Sequence, residues 1–139
     1  MEVPDRVLTI SKAEGATRQV EQAIRALQRG EFDLVVTLAG AAEGMFDRPG
    51  LHFWTYIHAR ARDDGIDSRE LSDFLNAART WLKHPVPEQG ERLTLNRHAA
   101  VEMIIRAMSK LETWTLLMAE FKAWLAENYD EVFGGECSK

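Results

Sequence analysis

Arg79 and His84 are the residues of this 139-residue chain whose types and spacing point most directly at chemistry. They stand in "NAARTWLKHP" with four residues between them, and Pro85 follows at once. Cleavage of RNA by its own 2′-hydroxyl needs one group to move a proton and a cation to meet the charge that builds on phosphorus. Histidine titrates near neutral pH and can shuttle the proton. Arginine stays charged and grips phosphate with two donors. That chemistry requires no metal.

Five residues around an α-helix turn about 140°, so in one unbroken helix the two side chains point apart. They converge only if the helix ends before His84, which Pro85 encourages, or if a partner chain completes the site. Asn76, one turn before Arg79, and Lys83, one turn after it, share its side of the helix and make a small cationic strip. Trp81 borders that strip and is the candidate for an interface or base contact. The alternative is a solvated helix edge, with His84 as a C-terminal cap that favours the helix dipole. Spacing does not choose between the two. In a chain with twelve arginines and four histidines, an arginine followed after four to six residues by a histidine arises by chance about once. Arg92 and His98 satisfy the same pattern.

Other constellations are weaker. His98 and Glu102 lie one turn apart in "HAAVE", but two ligands do not make a metal site, and an intrahelical hydrogen bond is the better reading. No Glu-x-x-His pair, Gly-rich phosphate loop or nucleophile elbow occurs, so neither a metal nor another cofactor is expected. "HARAR", His58 to Arg62, could follow an RNA backbone, but Asp63 and Asp64 can neutralise it. Trp54, Trp114 and Phe121 fall on or near apolar stripes and read as core rather than as base-stacking platforms.

The elements that must position these residues are helical. Ser11 and Glu14 form an S-x-x-E capping box, and Ala13, Ala16, Val20, Ala23, Ile24 and Leu27 recur at helical period up to Gly30. A second helix, about Phe32 to Phe46, carries Leu34, Val35, Leu38, Ala39, Ala42 and Met45 on its apolar side and is thin at "LAGAAEG". Two glycines inside a helix, each costing about 1 kcal/mol relative to alanine, imply a compensating close contact at Gly40 and Gly44. A neighbouring helix, within the chain or across a dimer, is the expected occupant, and Glu43 between them faces either a site or water. "LHFWTYIHARA" predicts a shorter third helix.

Asp67 with Glu70 predicts the start of the helix that carries Arg79, with Ile66 stapled onto Leu71. Its apolar set is Leu71, Phe74, Leu75, Ala78, Trp81 and Leu82. From Thr94 the apolar period continues through Val101, Ile104, Ile105, Met108 and Leu111 to Trp114, Leu117, Met118, Phe121 and Leu125. That stretch is one long helix or two broken near "SKLET". The whole predicts an all-α, single-domain bundle of five or six helices over residues 1–139, with an N-terminal arm (1–10) and a frayed tail (130–139).

Composition agrees with that class. A chain of this length buries roughly two-thirds of its unfolded surface and needs no staple. Cys137 is the lone cysteine and makes no internal disulfide. The absence of a membrane-length apolar run and of a signal-peptide layout makes a cytoplasmic protein the expectation. The net charge of −5 draws no nucleic acid to the protein as a whole. All four histidines and a balanced set of charges fall within residues 52–106, so any anion-binding surface is built there.

Three stretches, "LVVTLAGAAEGM", "FLNAARTWLKH" and "AVEMIIRAMSKL", resemble a group of uncharacterised bacterial helical proteins related to the HEPN superfamily, over roughly residues 13–125. Arg-x4-6-His is that superfamily's signature. The resemblance implies an up-and-down helical bundle and a homodimer whose Arg79/His84 pairs meet in a cleft at the interface. Its ribonucleases usually carry Asn, Asp or His after the arginine, where this chain has Thr80; the departure falls on the catalytic motif rather than on the helical pattern. Two functions follow. One is a non-catalytic binding and dimerisation module whose Asn76, Lys83, Trp81 and Glu43 engage a partner protein, a nucleotide or RNA. The other is a metal-independent ribonuclease of the toxin or stress-response kind, with His84 as acid/base and Arg79 as phosphate clamp.

Overall fold

A computed structural model describes residues 1–47, 68–85 and 90–134. Among them are five α-helices and no strand: α1 (Lys12–Gln28), α2 (Phe32–Gly44), α3 (Ser68–Lys83), α4 (Arg97–Met108) and α5 (Leu116–Tyr129). The chain is an all-α bundle. No helix is long and apolar enough to cross a membrane, among the described residues. The third helix expected at residues 51–61, the Asp67 cap and the Ile66 staple lie outside the described residues.

The ends of α1 are set by local chemistry. Glu14 N–H donates to Ser11 Oγ (3.0 Å) and Ser11 N–H to the Glu14 carboxylate (3.2 Å), closing the expected capping box. At the far end Gly30 takes a φ of +75°. Its N–H donates to the Leu27 carbonyl, and that of Glu31 donates to the Ala26 carbonyl, the paired bonds of a Schellman stop.

α4 is the centre of the bundle. Nine of its twelve residues are buried, from Ala99 through Ile105 together with Ala107 and Met108. α2 packs on both α1 and α4, and α3 lies against α2 with a lighter touch on α4. The apolar period that runs on from α4 is broken after Met108. Ser109 ends α4, Trp114 Nε1 donates back to the Met108 carbonyl (3.0 Å), and Thr115 caps α5 by accepting from Met118 N–H. The "SKLET" break therefore makes two helices.

Three apolar expectations need correction. Ala13 and Leu34 are exposed although they keep helical period. Phe74 is also exposed, since the buried side of α3 is narrow, with Leu75 and Ala78 inward and Trp81 and Leu82 half-buried. At the C-terminal end the expected fraying at 130 is replaced by a π-helical turn, Asp130–Gly134. Val132 is buried there, and Phe133 packs between Tyr129 and the edge of the His98 ring, which gives the turn its own apolar cover. Residues 135–139 lie outside the described residues.

Candidate functional site

α3 brings Arg79 down across α2 at its thinnest point. Arg79 donates from Nη2 to the Gly40 carbonyl (2.7 Å) and from Nη1 to Glu43 Oε1 (2.8 Å). A Cβ placed on Gly40 would stand 2.7 Å from Arg79 Nε and 3.2 Å from its Cδ, so the side chain fits only because residue 40 has none. At Gly44 the same construction leaves 3.6 Å to Nη2, ordinary contact. The close approach that the two glycines call for is thus made by an arginine side chain from α3, not by the backbone of a packed helix.

Glu43 is a hub. Besides Arg79 it accepts from Arg106 of α4 through Nε (2.5 Å) and Nη2 (2.9 Å), and Arg106 Nη2 also donates to Asn76 Oδ1 (3.1 Å). The Glu43 side chain is 13% exposed and that of Arg106 11%, so these charges are held largely out of water, where hydrogen bonds between ions are strongest. Glu43 offers its one carboxylate to both guanidinium groups. It ties α2, α3 and α4 together at one edge. Arg106 is absent from the sequence-based site. Its signal is present all the same, as a charged residue inside "AVEMIIRAMSKL", whose other α4 positions are buried.

His84 stands apart from this cluster. Helical hydrogen bonding continues through its backbone, with His84 N–H donating to the Thr80 carbonyl (2.9 Å), and its side chain is exposed. α3 itself ends at Lys83, and this last hydrogen bond carries the helical path on to His84 before Pro85 breaks it. No hydrogen bond joins His84 to Arg79 among the described residues. Thr80 donates its hydroxyl to the Asn76 carbonyl (2.9 Å), so it stays within its own helix. Trp81 Nε1 donates to the Gly90 carbonyl (2.9 Å), where Gly90 has a φ of +86°, and fastens the loop beyond α3. The indole N–H is therefore spent on the fold.

Lys83 is the exposed cation of the strip, and no described carboxylate pairs with it. With Thr37, Gly40 and Arg79 it lines a shallow cavity of about 160 Å³ between α2 and α3. Asn76, Glu43 and Arg79 thus meet, Lys83 borders the same edge, and His84 lies outside it.

The second Arg/His match is dispersed too. Arg92 is exposed in the loop before α4. His98 packs edge-on against Phe133, with ring centroids 4.5 Å apart, and its Nε2 is buried with no hydrogen-bond partner among the described residues. Burial lowers the His98 pKa below its ordinary value, opposed in part by the negative charge of Glu102 one turn on. Among the described residues no three His, Cys, Asp or Glu side chains gather as metal ligands would. "HARAR" and Trp54 lie outside the described residues. Trp114 and Phe121 belong to the core side of the bundle, as their stripes predict. Comparison with protein-family models, with curated proteins and with solved structures finds no match to this chain.

Proposed function

We propose that the protein is a HEPN-like, non-catalytic binding module that forms a homodimer and holds a phosphate-bearing ligand, RNA or a nucleotide, at the α2/α3 edge. One observation carries this reading: the Arg79 guanidinium is taken up by Glu43 and the Gly40 carbonyl, away from His84. A phosphate clamp needs free, outward donors, and those of Arg79 are engaged in holding α3 on α2. What remains outward is Lys83, beside Thr37, on a cavity large enough for a phosphate group. Lysine binds phosphate as a point charge, which suits positioning without chemistry.

Ribonuclease activity, which the resemblance implies, requires Arg79 to leave Glu43 and meet an imidazole. Among the described residues no hydrogen bond of the His84 side chain favours it. The test incubates the protein with a labelled single-stranded RNA in excess chelator and also follows binding by fluorescence anisotropy at low salt. Intact RNA with saturable binding, weakened several-fold by Lys83→Ala and with a salt slope lower by about one, is the expected result. Cleavage that His84→Ala abolishes replaces the module with the enzyme. Intact RNA that never binds removes the phosphate ligand.

A further inference from the structure

At the opposite end of α1 from its cap lies a groove between α1, α2 and α5, with a cavity of about 280 Å³. Its walls include the half-buried Leu27, Phe32, Leu117 and Trp124, and Arg97 and Glu120 stand on its rim. Arg97 is held only loosely, its nearest Glu131 oxygens being 3.4 Å away and that carboxylate 66% exposed. None of the residues that line the α2/α3 cavity lines this groove.

The chain also carries an apolar segment without cover. All ten residues of the arm before Ser11 are exposed, among them Val3, Val7, Leu8 and Ile10, with Val7 at 92% and Leu8 at 55%. The arm carries both signs of charge, Glu2 and Asp5 beside Arg6, as does the rim of the groove, Arg97 and Glu120. An apolar strip flanked by both signs of charge matches an apolar groove flanked by both signs.

Reach decides whose groove the arm can enter. Leu27 lies sixteen residues beyond Ser11 along α1, about 24 Å at 1.5 Å per residue. Leu8 and Val7 stand three and four residues before Ser11, and four extended residues span at most about 14 Å. Ile10 moreover rests beside Gly15, its Cδ1 3.4 Å from where a Cβ on that glycine would lie, which holds the arm's root at the capped end of α1.

We infer that the arm of residues 1–10 seats Val7 and Leu8 in this groove on a second copy of the chain. Two copies exchange arms about a two-fold axis, each giving one arm and one groove. Ten arm residues and nine groove residues from each copy bring the interface close to the roughly 20–30 residues a side of a standard complex. This gives a location to the homodimer of the proposed function and rests on that homodimer, but not on ligand binding at the α2/α3 edge.

Sedimentation equilibrium of the full chain tests it, with far-UV circular dichroism to check folding. The parent is expected to dimerise at micromolar concentration. Val7→Asp with Leu8→Asp spoils the arm and Leu117→Glu spoils the groove, and each is expected to weaken the dimer at least tenfold. Mixing the two variants restores association in part, because the heterodimer keeps one sound arm opposite one sound groove. Recovery on mixing also separates a spoiled contact from a spoiled fold. A parent dimer that the arm variant leaves unchanged overturns arm exchange while the homodimer stands. A parent that stays monomeric at several hundred micromolar overturns both, and the RNA titration is untouched by either result.

Discussion

Arg79 lies across Gly40 so closely that a methyl group on residue 40 would stand 2.7 Å from its Nε. The residue that the sequence marks most clearly for chemistry therefore also serves as a strut between two helices.

Gly40→Ala and Gly44→Ala should part company. Each gains up to about 1 kcal/mol of helix propensity. At position 44 the new methyl meets Arg79 at ordinary contact distance, so urea denaturation should show a gain of about 0.5–1 kcal/mol. At position 40 the arginine must lift off, losing its bond to the carbonyl and straining a tight contact. A net loss of about 1–2 kcal/mol is expected. Equal effects at both positions would show that Arg79 does not occupy this groove in solution.

Glu43→Gln removes the carboxylate that two largely buried guanidinium groups share. Taking one partner from a fully buried ion pair costs about 3–5 kcal/mol. Arg79 is 28% exposed and water relieves part of that penalty, so about 2–3 kcal/mol is expected here. The diagnostic is coupling. In an Arg79→Met background the loss should shrink by about 1 kcal/mol, since one of the two contacts of Glu43 is then already gone. Strict additivity in the denaturation series would mean that the three residues are not one network.

The contrast between these expectations and the sequence has a physical cause. Capping is local, so Ser11 and Glu14 are legible three residues apart. Whether α4 and α5 are one helix or two is not, because Leu111 and Trp114 keep apolar period across a break that holds neither Gly nor Pro. The Glu43 cluster is less legible still. Its partners lie 36 and 63 residues away, and periodicity says nothing of which side chain fills a thin helix. Gly40 and Gly44 announce a close contact without naming it. Arg106, the charged residue inside the buried run of α4, could have been read as needing a partner, and Glu43 in the thin helix supplies one.

His98 should make stability depend on pH. Its folded-state pKa is lowered by burial, whereas the unfolded chain titrates near the ordinary value of 6.5. The unfolded state therefore binds the proton first, and stability rises with pH wherever that difference persists. Above about 6.5 the contribution is complete; it is lost as pH falls from there toward the lowered folded value. Denaturation at pH 7.5 and 5.5 should show the loss, and His98→Leu should flatten it. An NMR titration of the ring with a midpoint at or above 6.5 would remove its basis.

The two members of the Arg-x4-His pair should differ in what they contribute to stability. His84 is exposed and, among the described residues, hydrogen-bonded only through its backbone, so His84→Ala should leave stability within about 0.5 kcal/mol of the parent. Arg79→Ala gives up two charge-assisted hydrogen bonds and opens a gap above Gly40, for a loss of about 1–3 kcal/mol. The asymmetry follows from geometry: one residue belongs to the packing of three helices and the other to the solvent. If both substitutions cost the same, the imidazole has a partner within the fold, and a shared site with Arg79 becomes the first place to look for it. If only Arg79 matters, the pair is two neighbours on one helix with separate tasks, and the spacing between them reflects the end of α3 rather than a catalytic unit.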